Sequence, residues 1–274
     1  MQTAAGGCRA DRRGAPYAVG VPDADELATW SSLEGVPSAL AAARDAVDAL
    51  LRDRDPRRTT AELAAESLLR GAAASGLLEV PEADRPAGPT PSSVLETATE
   101  QLRDGTAPPS ALAAARLNAG LLALVPVVRR SPLQAFARLH VLAASGTISD
   151  DRLGRPRPEP ELAKQLQRLA GTFVAPTRAP AIAVAGLAHA EMATLAPFAS
   201  GDALVARALE RLLLVTRGVD PTSMLVPEAG HLVLEQGYRS ALAAYATGGR
   251  AGRRAWLLHV CSAVAEGVAA SPLR

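Results

Sequence analysis

Apolar residues in this chain recur at three- and four-residue intervals, and over no useful length do they alternate with polar ones. That period is the mark of helices with one buried face, whereas a half-buried strand requires alternation. Hydrophobic residues make up 48% of the chain but aromatic residues only 3%, so alanine and leucine must fill the core. Alanine, leucine and arginine are among the strongest helix formers. The expectation is an all-α fold, with one short β-hairpin as an option in the proline-rich stretch after Gly154. A chain of 274 residues is long enough to bury a sizeable core.

The spacing predicts a helix over 38–52, with Leu40, Ala43, Val47, Leu50 and Leu51 on one side, and a second from Thr59 onward. Thr59 and Glu62 have the separation of a capping box, in which each side chain satisfies an amide at the first turn. Further helices are expected over 93–103, 110–125, 132–144, 161–172, 181–195, 202–217, 235–246 and 253–269. Ser131 followed by Pro132 is a helix start signal. Residues 1–25 have no period and are rich in Gly, Arg, Asp and Pro, which reads as a disordered tail. Pro86, Gly88, Pro89 and Pro91 mark an interior loop. The organisation expected is a tail (1–25), an N-terminal helical arm (26–90) and a helical core (91–274).

Several classes of function are disfavoured by composition. Lysine and arginine number 29 against 28 acidic residues, so no basic excess points to nucleic acid. Lys164 is the only lysine, which reads as a high-GC codon bias. Cys8 and Cys261 make neither a disulfide framework nor a metal site. No two histidines have the spacing that puts a zinc pair on one helix face, so no metal is expected. His189 follows Ile182 and Ala185 at core spacing and reads as a buried, hydrogen-bonded residue; His140, His231 and His259 take the same reading. Charges at Arg9, Asp11, Arg12 and Arg13 exclude a secretory signal, and the apolar run 179–188 is too short to span a membrane. A cytoplasmic bacterial protein is the expected setting.

The segment Leu195-Ala196-Pro197-Phe198-Ala199-Ser200-Gly201-Asp202-Ala203-Leu204-Val205-Ala206-Arg207 carries the main clue to function. It resembles the active-site motif of the Fic (Fido) family, His-Pro-Phe-x-Asp/Glu-Gly-Asn-Gly-Arg-x-x-Arg, in an actinobacterial type of sequence. The resemblance extends from about Thr60 to the C-terminus. It implies a helix that delivers the motif histidine, a loop that binds nucleotide phosphates, and a second helix beginning at the glycines. In that family the histidine deprotonates a target hydroxyl, which attacks the α-phosphate of ATP with magnesium present, and AMP is transferred. Here the histidine position is Ala196, and a methyl group accepts no proton. Ser200 replaces the metal-holding acid, Asp202 the asparagine, Ala203 the second glycine and Leu204 the first arginine. Pro197, Phe198, Gly201 and Arg207 keep the frame. Gly201, Asp202 and Arg207 are the positions left that face a nucleotide if one binds.

Asp202 has two readings: a helix N-cap, or a metal ligand for a different reaction. The family also carries an inhibitory helix, Ser/Thr-x-x-x-Glu-Gly/Asn, whose glutamate pairs with the last motif arginine. Ser75-Gly76-Leu77-Leu78-Glu79-Val80 matches it at Ser75 and Glu79. The resemblance therefore pairs Glu79 with Arg207; the residues alone also allow Arg207 to pair with Glu210 or Glu191. Gly154-Arg155-Pro156-Arg157 stands where the family has its target-docking flap. The expected protein is a Fic-fold module with a degenerate site, without AMP transfer and without a resident cofactor, that regulates or binds an unnamed protein partner. Two alternatives stand beside it: an active nucleotidyl or phosphoryl transferase using ATP with magnesium through Asp202 or His189, and a helical scaffold that forms a homodimer.

Overall fold

The computed structural model describes residues 23–52, 60–198 and 200–274. These form α1 (Ala24–Ser31), α2 (Val36–Arg52), α3 (Ala61–Leu77), α4 (Pro91–Arg103), α5 (Pro109–Leu121), α6 (Val125–Arg130), α7 (Pro132–Ala144), α8 (Pro160–Val174), α9 (Ala181–Leu195), α10 (Asp202–Thr216), α11 (Pro227–Val233), α12 (Glu235–Ala246) and α13 (Gly249–Ala269). The described residues contain no strand, so the optional hairpin after Gly154 is not formed. Pro156, Pro158 and Pro160 each lack the amide that a ladder needs.

The caps at the starts of α1, α3 and α7 differ from expectation. Residues 1–22 of the expected tail lie outside the described residues, and its last positions belong to α1. Asp23 caps that helix, its Oδ1 accepting from the amides of Asp25 and Glu26 at 2.9 and 2.8 Å while Glu26 accepts from the Asp23 amide. Thr59 also lies outside the described residues; the cap of α3 is Thr60, whose hydroxyl accepts from the Leu63 amide. Ser131 precedes α7 but makes no side-chain cap bond, so Pro132 alone sets that start.

The core is built around α9 and α10. Helix α9 is apolar on every side, and such a helix must be surrounded; residues 182–192 are all buried. It packs on α10 and touches α13, α12 and α8. Helix α10 in turn meets α7, α5 and α3, while α13 covers α2, α11 and α12. Buried residues of α2 and α3 join the same cluster as those of α9, α10 and α13. Residues 109–130 are long and apolar enough to cross a membrane by length and composition, with mean hydropathy 1.8. Here a 3-10 turn at Leu122–Leu124 interrupts them, and Ala111, Ala114, Leu117 and Leu121 are buried where α5 meets α3 and α7.

Helix α10 also buries three charged side chains: Arg207 is 2% exposed, and Glu210 and Arg211 are 1% exposed. Ionised groups leave water only when partners replace it. Where those partners lie defines the centre of the molecule.

Candidate functional site

Helix α9 stops at Leu195 because Ala196 turns into the left-handed region, φ 41° and ψ 60°. Its amide still closes the last turn on the Met192 carbonyl at 3.0 Å. Glycine normally fills such a C-cap, since a Cβ is strained there. The Ala196→Gly variant is expected to gain about 0.5–1 kcal/mol in urea unfolding, net of the extra freedom glycine gives the unfolded chain. A loss of stability would show that the Ala196 methyl group makes compensating contacts.

Beyond Ala196 the loop is tied from outside and inside. Arg157, on the segment between α7 and α8, donates its amide to the Pro197 carbonyl at 2.9 Å and its Nη2 to the Ala196 carbonyl at 3.1 Å. Phe198 is buried and lies flat on His140 of α7, with ring centroids 4.1 Å apart and planes 6° apart. Gly201, at φ 74°, turns the chain into α10. The expected N-cap role of Asp202 is not what the structure has. Gly201 occupies the cap position, α10 has no side-chain cap, and Asp202 is its first helical residue. The Asp202 Oδ1 instead accepts the Phe198 amide at 2.9 Å, bracing the loop that precedes the helix. Burial raises its pKa to about 6, against the opposing pull of the Phe198 amide and the Arg157 charge.

His140 is the imidazole beside this loop. Its Nδ1 accepts the Gly154 amide at 2.9 Å, so in the neutral ring the proton sits on Nε2. Burial holds its pKa below the ordinary histidine value. A ring in that tautomer donates from Nε2 and takes up no proton there.

Arg207 lies one turn and a half into α10 and directs its guanidinium inward. Its Nε donates to the Ser75 hydroxyl at 2.7 Å, and its Nη2 to the Ser75 carbonyl at 3.2 Å and the Glu79 Oε1 at 2.5 Å. Its Nη1 reaches the Tyr238 hydroxyl at 3.4 Å. The structure thus brings Ser75, Glu79 and Arg207 together, and Arg207 pairs with neither Glu210 nor Glu191. Ser75 can sit so deep because Gly76 lets α3 press on α5: a Cβ there would lie 2.5 Å from the Ala111 Cα. Leu204 is buried among apolar neighbours.

His189 does not face the loop. Its Nδ1 donates to Glu210 Oε2, and its Nε2 accepts from the Tyr238 hydroxyl at 3.0 Å. Burial, outweighing the Glu210 carboxylate, drives its pKa down to about 4, which keeps the ring neutral. His231 Nε2 meets the same Glu210 oxygen at 2.9 Å, and His231 Nδ1 meets His259 Nε2 at 3.0 Å. His189, Glu210 and His231 thus offer three ligand-type atoms within 4.8 Å of one another, a grouping that the histidine spacing does not announce. Spacing on single helices could not reveal it, because each residue comes from a different helix. Arg211, one turn past Arg207, is held by Ser67, Ser223 and Glu228, and pins α10 to α3 and α11.

No protein-family model matches the sequence, and no curated protein matches it. Among solved structures, the chain is similar to Fic-1 (residues 134–508) from C. elegans, with a TM-score of 0.58 over 85% of this chain and 72% of that one. Identity is 14%, so the likeness is one of fold. The arrangement of helices around α9, the motif loop and α10 is an all-α, Fic-like fold.

Proposed function

We propose that this protein is a Fic-fold regulatory or interaction module that does not transfer AMP, and that it works in the cytoplasm by holding a protein partner. The observation that carries this reading is Arg207. The guanidinium at the phosphate-facing motif position has its donors directed to Ser75, Glu79 and Tyr238, inside the protein. Around it the other requirements of phosphoryl chemistry are missing. Ala196 offers no base, and Leu204 offers an aliphatic side chain where a phosphate needs a cation. Asp202 adds a carboxyl at the first turn of α10, where a negative charge competes with an incoming phosphate.

The competing reading, a rearranged transferase, needs a base within reach of the loop. His189 is turned toward Glu210 and Tyr238, and His140 presents a donor rather than an acceptor. Neither serves. On this reading no nucleotide is a resident cofactor. Incubation of the purified chain with labelled ATP, magnesium and cell lysate is expected to leave no labelled protein, and calorimetry with ATP and with AMP is expected to show no saturable heat. Robust labelling that disappears in Asp202→Ala would reinstate the transferase.

A further inference from the structure

The three buried charges of α10 are not treated alike. Arg207 is balanced by Glu79 and Arg211 by Glu228. Glu210 meets only imidazoles: both of its hydrogen bonds fall on Oε2, from His189 and His231, and its Oε1 is buried with no partner. No arginine or lysine among the described residues reaches it within salt-bridge distance. A buried carboxylate oxygen that no protein donor reaches is expensive.

We propose that His189 Nδ1, His231 Nε2 and the Glu210 carboxylate form a buried structural site for a divalent transition ion, with zinc as the ion of first choice. Two imidazole nitrogens and a carboxylate are a donor set that zinc favours, and the orphaned Oε1 is available as a further ligand. A tetrahedral ion about 2.0 Å from each donor needs them roughly 3.3 Å apart, so the two edges to Glu210 must lengthen by under about 1 Å, while the edge between the two imidazole nitrogens, within 4.8 Å, adjusts toward the same length. The second layer suits this as well. A ligating histidine usually donates its other N–H to an acceptor that fixes the ring. His189 Nε2 faces the Tyr238 oxygen and His231 Nδ1 faces His259 Nε2, both 3.0 Å away. Entry of the ion shifts each of the three rings to its other tautomer, so protons move within the rings and none is released. The positive charge then offsets Glu210, completing the balance that its two arginine neighbours on α10 already have.

The cluster comes nearest to solvent at His259, the neighbour of His231. His259 is 8% exposed and lines a surface hollow with Val233, Leu234, Gly237, Leu258 and Ser262. A Cβ at Gly237 would stand 3.6 Å from His259 Nδ1, so that ring edge borders the hollow. The inference is independent of the role of the motif loop, since it concerns ions rather than nucleotides or partners.

The test is zinc content. Purified full-length chain, stripped with a chelator and refolded with zinc, should retain one equivalent after dialysis and melt at higher temperature than the stripped protein. The isosteric Glu210→Gln, and His231→Asn, which removes the ligating Nε2, should each weaken zinc binding by more than about tenfold. Cobalt(II) added to the unaltered chain gives a readout that needs no variant: ligand-field absorption of a four- or five-coordinate site, bleached by one equivalent of zinc. Absence of stoichiometric zinc and of the cobalt spectrum would overturn the proposal, as would zinc binding that survives Glu210→Gln undiminished.

Discussion

Removing Arg207 should destabilise the protein by about 3–5 kcal/mol, and removing Glu79 by about 1–3 kcal/mol, with the double variant less destabilised than the sum. The asymmetry follows from burial. Arg207 is 2% exposed and its loss strips partners from Ser75, Glu79 and Tyr238, whereas the Glu79 side chain is 28% exposed and water can replace part of what it gives up. Losing Glu79 alone leaves a buried guanidinium with only neutral partners, and breaking one side of such a pair costs more than the pair contributes. Burial by itself would depress the Arg207 pKa; the Tyr238 oxygen and the Glu79 carboxylate outweigh it and raise the pKa instead. The single variants and the double variant Glu79→Ala/Arg207→Ala, unfolded in urea at neutral pH, should show a coupling of about 1–3 kcal/mol. Strict additivity would mean that the contact between the end of α3 and α10 is incidental.

The same residues show where sequence reasoning reached and where it ran out. Helices α9 and α12 were legible in full, because a proline or a run of periodic apolar residues fixes both ends. Helix α11, Pro227–Val233, was missed: seven residues do not display a period, and its burial comes from α13 and α3 rather than from any local signal. Asp202 was misread by one position. An aspartate before an apolar run is a good cap by local preference, but Gly201 takes the left-handed turn, and the carboxylate turns back to the Phe198 amide. The His189–Glu210–His231 cluster was invisible for a plainer reason. Successive members are 21 residues apart in sequence and each lies on a different helix, so only the packing of α9, α10 and α11 unites them. Burial of His189 could be inferred from its apolar neighbours; its partner could not. The contact of Glu79 with Arg207 was suggested by resemblance to a known motif, since no local pattern joins residues 128 positions apart.

Asp202 supplies the other large effect, and it is one that pH reveals. Its carboxyl titrates near 6 in the folded protein and near 3.8 when unfolded. The folded state therefore binds the extra proton between those values, and stability falls as pH rises from about 4 through 6. Two pKa units correspond to about 3 kcal/mol, a ceiling that the favourable placement of a negative charge at a helix start does not remove, because burial has already outweighed it. Asparagine keeps an oxygen for the Phe198 amide and carries no charge. Asp202→Asn should accordingly stabilise the protein by about 1–3 kcal/mol at pH 7.5, and that gain should shrink to near zero at pH 4, where the native aspartate is itself neutral. Only the difference between variant and parent is read, so other titrating groups cancel. A gain of equal size at both pH values would assign the effect to shape rather than charge. A loss at pH 7.5 would show that the ionised carboxylate is held by more than one loop amide and Arg157, and that this end of α10 is built to keep a negative charge.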